Sequence, residues 1–337
     1  MQVIVLAGGK GKRLWPLSSE ACPKQFLDFE TGESLLMQTV KRFAQDEVLV
    51  VTSQKHAEIA QRQLGPAFGD TILVEPESRN TAPAICLGLK YFLEKMGGSE
   101  DEVCVVCPSD HYFGLEEDFL RLLPLARTAA QKGRIVTFGV TPTYPDTGYG
   151  YIQTCQGEEV LPVTQFIEKP TFEKAQKLLE SGDYYWNMGV FVFQIGTFLK
   201  QLCLHAPSFT EWFKQPYEKA LCSFSTLPAL SIDHVLMEKT DQIALIPYPS
   251  SWSDLGTWER LSAVLPKDEH GNFLSGEIEA LQTRGCMVFG EGIVTVGVED
   301  LLIVKIEGKV VVCKKEAMHH LKEVQRMQNL TQKTDLG

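Results

Sequence analysis

The feature that most constrains the fold is an alternation of short apolar runs with amphipathic segments over the first 140 residues. Five runs have the composition of buried strands, and the four segments between them carry apolar residues at helical spacing. Strands that alternate with helices predict a mostly parallel sheet covered by helices on both faces. The predicted strands are Val3–Leu6, Val48–Thr52, Thr71–Val74, Val103–Cys107 and Ile135–Val140, and the predicted helices are Leu35–Ala44, His56–Leu64, Ala82–Lys95 and Asp118–Lys132.

The chain of 337 residues is long enough for one large domain and one smaller domain. We predict a domain of residues 1–265 and a C-terminal module of residues 266–337. Short apolar strands between glycines predict a small β-rich module, and its exposed strand edges favour a homodimer. The predicted strands are Cys286–Phe289, Ile293–Val298, Leu301–Ile306 and Val310–Cys313, and an amphipathic helix is predicted at Glu316–Gln328.

The middle of the chain combines further strands and helices with aromatic side chains that lie beside polar ones. Such a mixture suits a sugar, which offers apolar C–H faces together with hydroxyl groups. Aromatic packing beneath a loop explains the same pattern, and the sequence leaves both interpretations open. The predicted strands are Thr147–Ile152, Val163–Ile167, Val190–Ile195 and Ile243–Ile246, and the predicted helices are Thr171–Ser181, Phe198–Phe213 and Asp233–Lys239.

Composition argues against several classes of protein. The formal net charge of −11 disfavours a nucleic-acid partner, because nucleic-acid-binding surfaces are basic. No apolar run approaches the roughly 20 residues that span a bilayer, and the first residues do not resemble a secretion signal. Nine cysteines scattered along the chain do not form the pattern of a disulfide framework. We therefore expect a reducing compartment, the cytoplasm, and no membrane partner.

A glycine-rich loop follows the first predicted strand. Its glycines let backbone N–H groups converge on an anion, and its basic residues add positive charge at the same place. A tight turn with a solvated basic face is the alternative. The loop matches neither the dinucleotide fingerprint, which needs a third glycine, nor the P-loop, which needs Gly-Lys-Ser/Thr. Its members are Gly8, Gly9, Lys10, Gly11, Lys12 and Arg13.

Polar clusters also follow the third and fourth predicted strands, at residues 75–84 and 108–111. In open sheets of this class, ligands bind at the carboxyl ends of the strands, so we expect both clusters and the glycine loop at one edge. Asn80 or Thr81 would equally serve to cap the next helix, which is the structural alternative.

Two aspartates are candidates for a metal site, Asp110 after the fourth strand and Asp254 in a turn between two tryptophans. Mg²⁺ prefers carboxylate oxygens and often uses only one or two of them, with phosphate oxygens and water completing its shell. Together with the basic loop, such a site would hold a nucleoside triphosphate, and charge neutralisation and in-line positioning supply most of the catalysis of substitution at phosphorus. The chain contains no G-x-S-x-G or HExxH motif for another chemistry.

Taken together, the motifs resemble those of the sugar-1-phosphate nucleotidyltransferases, in family order from Leu6 to Trp258. The resemblance implies a Rossmann-like nucleotidyltransferase fold, with a C-terminal module similar to a short left-handed β-helix used for dimer contacts. It also implies that mannose 1-phosphate attacks the α-phosphorus of GTP directly, with Mg²⁺, to give GDP-mannose and pyrophosphate. The motifs are LAGGKGKRLWPLS, PKQF, EPESRNTAPA, PSDH, GYGYI, FIEKP, WNMGVF, SIDHVLMEK and WSDLGTW.

The resemblance also assigns roles to individual residues. Arg13, Lys24 and Asp110 match catalytic positions, and Asp110 and Asp254 match the metal ligands. Asp233 lies in a matching stretch, where its role can be structural. The positions that match the nucleotide side are Leu6, Gly8, Gly9, Gly11, Arg13, Asn80 and Thr81, with Glu75 and Arg79 near the base, and those that match the sugar-phosphate side are Gly148, Glu168, Lys169 and Asn187.

Two alternative functions stay open at the level of sequence. One is a guanylyltransferase for another sugar 1-phosphate, such as a manno-heptose or fucose, because the sugar pocket cannot be resolved from these motifs. The other is a sensor that binds GDP-mannose without catalysis. The presence of Arg13, Lys24, Asp110 and Asp254 disfavours the sensor.

Overall fold

The computed structural model describes residues 1–9, 11–29, 31–155 and 157–334, with the backbone alone at 12, 67, 69, 70 and 328–334. The chain forms two compact units. The first unit contains residues 1–9, 36–109 and 113–252, and the second contains the described part of residues 10–35, 110–112 and 253–337. No helix in the described ranges is long and apolar enough to cross a membrane.

The first unit is built on a nine-stranded sheet with the order β3-β2-β1-β4-β9-β6-β10-β8-β7. All five strands predicted in the first 140 residues are present, within one or two residues of the predicted ends. The strands of this sheet are β1 (Gln2–Leu6), β2 (Glu47–Ser53), β3 (Ile72–Glu75), β4 (Val103–Pro108), β6 (Ile135–Val140), β7 (Tyr151–Thr154), β8 (Leu161–Ile167), β9 (Tyr184–Gln194) and β10 (Ile243–Pro247), and a two-residue strand β5 (Tyr112–Phe113) follows β4.

The sheet is mixed but mostly parallel, as the sequence predicts. β1 pairs in parallel with β2 and β4, and β10 pairs in parallel with β6. β9 lies between β4 and β6 and is antiparallel to both. β8 is antiparallel to β7, as expected for neighbouring strands that are only six residues apart in sequence, because parallel neighbours need a crossover connection of a dozen or more residues.

Helices cover this sheet, and α3 (Thr81–Lys95) packs against β1, β2 and β3 at one end of the sheet. A Cβ atom at Gly88 of α3 would lie 2.8 Å from the Ile4 side chain of β1, so the glycine permits this close approach. The helices of the first unit are α1 (Leu35–Arg42), α2 (Ala57–Leu64), α3 (Thr81–Lys95), α4 (Glu116–Gln131), α5 (Phe172–Ser181), α6 (Ile195–His205), α7 (Pro207–Phe213) and α8 (Tyr217–Cys222).

Five predicted elements differ from the structure. The predicted strand Val190–Ile195 is part of the longer β9, which begins six residues earlier at Tyr184. The predicted helix Glu316–Gln328 starts as a 3-10 helix, Lys315–His320, and becomes an α-helix only at Leu321. The predicted helix Phe198–Phe213 is divided between α6 and α7 at Ala206, because Pro207 disfavours helical backbone in the residue before it. The predicted helix at Asp233 is a single π-helical turn, Asp233–Met237. The predicted strand from Thr147 begins only at Tyr151, since Gly148 and Gly150 lie in the preceding loop.

The second unit contains a stack of short parallel strands. Phe273 pairs with Met287 and Met287 pairs with Leu302, so the chain returns to the same position after 14 and then 15 residues. A second ladder pairs Ile278 with Ile293. The strands and helices of this unit are β11 (Trp252–Ser253), which begins at the last residue of the first unit, α9 (Trp258–Val264), β12 (Phe273–Ser275), β13 (Ile278–Leu281), β14 (Met287–Phe289), β15 (Ile293–Val296), β16 (Leu301–Ile306), β17 (Lys309–Lys314) and α10 (Leu321–Thr334).

The last strand of the stack, β17, runs antiparallel to β16 and leaves one edge exposed. Glycines are required where successive turns of the stack approach each other. A Cβ atom at Gly276, whose φ is +106°, would lie 2.2 Å from the carbonyl oxygen of Gly290. The prediction of a small C-terminal β module is confirmed.

Candidate active site

Lys24 is the centre of a charged cluster in the second unit. It begins a short 3-10 helix after Pro23, and only 5% of the residue is exposed. Its Nζ lies 2.9 Å from Oδ2 of Asp110 and also donates to the backbone carbonyl of Asp254. A buried ammonium group needs such partners to offset its lost hydration. Lys24 thus connects the two predicted metal-binding segments.

Asp254 is held by a second cation that the sequence analysis does not identify. Arg260 Nη1 lies 2.6 Å from Asp254 Oδ1, and the backbone N–H of Gly256 donates to the same oxygen at 2.9 Å. Arg260 lies in the first turn of α9, where Thr257 caps the helix by accepting from the Arg260 N–H. Arg13, which is largely exposed, lies 3.9 Å from Oδ2 of Asp254.

The cluster keeps both aspartates ionised. Burial is the largest single effect on the pKa of Asp110 and would raise it, but the charge and hydrogen bond of Lys24 together with the charge of His111 outweigh burial and lower the pKa below its usual value. For Asp254 burial is again opposed, mainly by Arg260 and then by Lys24, and its pKa is also lowered. His111, whose Nε2 lies 3.7 Å from Asp110 Oδ1, lowers both pKa values when it is protonated.

The donor set of this cluster fits Mg²⁺ and a phosphate-containing ligand. Two ionised carboxylates are hard oxygen donors of the kind that Mg²⁺ prefers, and phosphate oxygens commonly complete its shell. Among the side chains that the structure describes, no group of three or more His, Cys, Asp or Glu residues is placed to hold a metal ion.

The three glycines of the predicted phosphate loop have different structural roles. Gly11, in the second unit, has a φ of +49°, and a Cβ atom there would lie 2.4 Å from the backbone N of Lys24. Gly8, in the first unit, lies against Glu75, whose Oε1 would be 2.6 Å from a Cβ at position 8. At Gly9 no heavy atom of the described residues, its own chain neighbours aside, lies within 4 Å of such a Cβ. Packing therefore explains Gly8 and Gly11 but not Gly9.

The structure gives fewer contacts for the other residues in this loop and for the strand residue before it. Leu6 ends β1, and its carbonyl accepts hydrogen bonds from the backbone N and Oγ of Ser109, at 3.1 and 2.8 Å. Lys10 lies outside the described residues, and only the backbone of Lys12 is described.

The predicted base-side residues lie in the first unit, at the end of β3 and the start of α3. Glu75 is only 4% exposed, and burial raises the pKa of its carboxyl to about 7 although Ser78 donates to it at 3.0 Å. Asn80 has a φ of +71°, and its side chain accepts from the Thr81 N–H at the start of α3. The capping role that the sequence leaves open for Asn80 is therefore present.

Two side chains connect this stretch to residues 227–232. Arg79 Nη1 donates to the carbonyl of Leu227 at 2.7 Å, and the N–H of Ile232 donates to Oγ1 of Thr81 at 2.9 Å. The base-side residues are thus fixed against the segment that leads into Asp233.

Three of the predicted sugar-side residues, Glu168, Lys169 and Asn187, come together around Asp233 in the first unit. Glu168 and Lys169 follow β8 and form an ion pair, and the Glu168 side chain is 7% exposed. Asn187, on β9, donates from Nδ2 to Oδ1 of Asp233 at 3.2 Å, a contact that the sequence does not reveal. Gly148 lies in the loop before β7, where its backbone N–H donates to Oδ1 of Asp146 at 2.7 Å.

The aromatic residues near this cluster pack mainly on one another. The ring centroid of Trp186 lies 4.8 Å from that of Tyr144 and 5.0 Å from that of Tyr149, which in turn lies 5.2 Å from Trp252. Tyr144 is exposed, whereas the other three rings are buried. For those three, aromatic packing is the interpretation that the geometry favours.

Comparison with known proteins gives two family matches that together span most of the chain. Residues 2–271 match the family model described as "Nucleotidyl transferase", and residues 276–327 match the "MannoseP isomerase/GMP-like beta-helix domain". The second match includes the ladder of β13 and β15 and, of the other parallel ladder, β14 and β16 but not β12.

Several relatives resemble nearly the whole chain. A mannose-1-phosphate guanylyltransferase of Salmonella montevideo is 35% identical over 95% of this chain and 72% of its own length. The alginate biosynthesis protein AlgA of Pseudomonas putida is 34% identical over 95% of this chain and 70% of its own. A solved structure from Thermus thermophilus, described as "mannose-1-phosphate geranyltransferase", is 34% identical, covers 97% of this chain and 99% of its own, and has a TM-score of 0.86. The family match and these identities show that this chain belongs to the nucleotidyl transferase family.

Proposed function

We propose that this chain transfers GMP from GTP to mannose 1-phosphate, giving GDP-mannose and pyrophosphate. The observation that carries the proposal is the contact of buried Lys24 with both aspartate-bearing segments, in a chain of the nucleotidyl transferase family. The Salmonella relative is named for transfer of a guanylyl group to mannose 1-phosphate. The Thermus structure is named for a geranyl group, but a nucleotidyl group is what agrees with the family description.

In the proposed reaction, a phosphate oxygen of the sugar phosphate attacks the α-phosphorus of GTP and pyrophosphate leaves from the opposite side. Lys24 supplies positive charge beside Asp110, where negative charge on the phosphoryl oxygens must be stabilised. Arg13, largely exposed and near Asp254, would contact the triphosphate. No covalent enzyme intermediate is needed, because positioning and charge neutralisation provide most of the catalysis.

Asp110 and Asp254 would hold Mg²⁺, which when bound neutralises phosphate charge and aligns the reacting groups. Their lowered pKa values keep both carboxylates ready to bind a cation at neutral pH. Arg260 keeps Asp254 in place by pairing with one of its oxygens.

Substrate recognition is proposed for groups of the first unit. Backbone at Gly8 and Gly9 would approach the triphosphate, and Asn80 and Thr81 at the start of α3 would face the base. Lys169 would contact the sugar phosphate, since its side chain is more than half exposed beside Glu168. Glu168 offers a carboxylate acceptor for a sugar hydroxyl.

A pyrophosphate-release assay with purified protein tests this function. Four nucleoside triphosphates and several sugar 1-phosphates, including fucose and manno-heptose 1-phosphates, would be compared in the presence of Mg²⁺. We expect the highest kcat/KM for GTP with mannose 1-phosphate. A preference for another sugar 1-phosphate would assign that compound as the substrate in place of mannose 1-phosphate. The absence of pyrophosphate release with every pair would overturn the proposal.

We also propose that the protein is a homodimer and works in the cytoplasm. The dimer is supported by exposed apolar side chains on the C-terminal strands, including Leu281, Val294 and Val296. The compartment is supported by the nine cysteines, which all carry free thiols.

A further inference from the structure

The amide of Asn187 is oriented by the protein itself. The backbone N–H of Gly189, which can only donate, lies 3.0 Å from Asn187 Oδ1. The hydroxyl of Thr137 lies 2.9 Å from the same oxygen. The oxygen of the amide is therefore fixed toward β9 and β6, and its nitrogen faces Asp233 Oδ1 at 3.2 Å. Asn187 thus holds one oxygen of the Asp233 carboxylate.

Asp233 lies beside a second carboxylate. Burial and, to a smaller extent, the charge of Glu168 raise the pKa of Asp233 to about 6, although Lys169 and Ser231 act against the rise. Glu168 forms an ion pair with Lys169, and its Oε2 lies beside Gly150, where a Cβ atom would be 2.8 Å away. Asp233 retains partial solvent exposure at the start of its π-helical turn. Two neighbouring carboxylates therefore share one lysine at the edge of the sugar-side cluster.

This arrangement suits a ligand that brings hydroxyl donors. Each oxygen of a carboxylate accepts up to two hydrogen bonds, so Asp233 has acceptor capacity beyond its contacts with Asn187, Ser231 and its own backbone N–H. Hydrogen bonds to charged groups are worth more than those between neutral groups. A sugar with adjacent ring hydroxyls would satisfy Asp233 and Glu168 together.

We propose that Asp233 determines specificity on the sugar side by accepting a hydrogen bond from one ring hydroxyl of the sugar phosphate, and that Asn187 positions it. The proposal rests on the proposed function, since it names a further contact to the same substrate. It changes the role expected for Asn187, because its amide acts by orienting Asp233 and not by contacting the sugar directly.

The test compares the wild-type protein with Asp233→Asn, which retains an oxygen acceptor for Asn187 but removes the negative charge. Asp241→Asn is the matched control, because it removes the same charge from an exposed turn of the same unit. Each protein is assayed with GTP and mannose 1-phosphate, and with deoxy analogues that each lack one ring hydroxyl. Thermal unfolding of each variant is measured in parallel.

We expect Asp233→Asn to lower kcat/KM for mannose 1-phosphate roughly 10- to 100-fold, with the KM for GTP close to that of the wild type. We also expect one deoxy analogue to be a poor substrate for the wild type and to lose that disadvantage in the variant. Equal penalties for every analogue in both proteins, or equal losses for GTP and sugar, would show that Asp233 is only structural. If the wild type does not use mannose 1-phosphate at all, the proposed function has failed instead.

A second measurement uses the wild type alone, in case Asp233→Asn does not fold. The KM for mannose 1-phosphate should rise as the pH falls through about 6, because protonation of Asp233 removes its charge. The groups that face Asp233 are Glu168, Lys169, Ser231 and Asn187. The deoxy analogue without the contacted hydroxyl should lack this rise in KM. Both compounds carry the same phosphate, so its titration affects both KM values equally and cancels in their comparison. Identical pH profiles for both compounds would overturn the proposal.

Discussion

Charge at the candidate active site depends on contacts between residues that are far apart in sequence. Lys24 and Asp110 stand in motifs that identify them, so both could be proposed from sequence. The partners of Asp254 and Asp233 could not. Arg260 stands only six positions after Asp254, but the turn between them and the orientation of the helix decide whether the two side chains meet, and Asn187 lies 46 positions from Asp233. Sequence patterns reveal residues with distinctive local surroundings, whereas a hydrogen bond across 46 positions leaves no local signal.

Replacing Lys24 should affect the rate of the reaction more than substrate binding. We expect Lys24→Ala to lower kcat roughly 10²- to 10³-fold, because its charge acts on the charge that develops during the reaction. Lys214→Ala is the control, since Lys214 is exposed and pairs with Glu211 on the surface. Steady-state kinetics at saturating GTP and mannose 1-phosphate measure the effect, and a wild-type kcat in Lys24→Ala would remove this residue from the site.

Glu75 should make stability depend on pH. Its pKa is raised from 4.5 to about 7 on folding, so its stabilising contribution is complete below pH 4.5 and is lost as the pH rises through about 7. The full shift corresponds to roughly 3 kcal/mol in the free energy of unfolding. We expect the wild type to lose stability relative to Glu75→Gln between about pH 5 and pH 8. Urea unfolding of both proteins measures the difference, and parallel curves across this range would contradict it.

Among the elements, the ends of strands and helices follow local sequence, but their pairing does not. The break at Pro207 follows from a general rule for the residue before proline, and could have been read from the sequence. The antiparallel position of β9 between β4 and β6 could not, because strand order depends on how distant segments pack. The glycine loop lies between these two cases, because its glycines are visible in the sequence but the different neighbours that each glycine meets in the fold are not.

The glycine loop offers a prediction that separates fold from function. Gly11→Ala should destabilise the protein by roughly 1–3 kcal/mol, because position 11 needs a left-handed backbone and lies against Lys24. Gly9→Ala should leave stability unchanged, as the described structure has room for the methyl group. If the triphosphate approaches Gly9 closely, Gly9→Ala should still raise the KM for GTP. Thermal unfolding and GTP kinetics of both variants test this, and a large loss of stability in Gly9→Ala would contradict the assignment.

At the scale of the whole molecule, the second unit gathers the described part of residues 10–35 and residues 110–112 with the C-terminal stretch from residue 253. Lys24, Asp110 and Asp254 all belong to this unit, although they are spread over 230 positions. Composition along the chain cannot show such a grouping, because it reports only on residues that are near in sequence. Short apolar runs separated by glycines did predict the C-terminal module, because each short strand carries its own local pattern.

The exposed face of the C-terminal module provides the prediction at this scale. Val294 and Val296 are 66% and 59% exposed on β15, beside Leu281, which is 63% exposed on β13. Solvent-exposed apolar groups on adjacent strands are stabilised when a second copy covers them. We expect Val296→Lys to shift the protein from dimer to monomer in light scattering, because the new charge would be buried at the interface. Leu204→Lys, at an equally exposed site in α6, should leave the dimer intact. A wild type that is monomeric at micromolar concentration, or a Val296→Lys variant that stays dimeric, would place the contact elsewhere or exclude it.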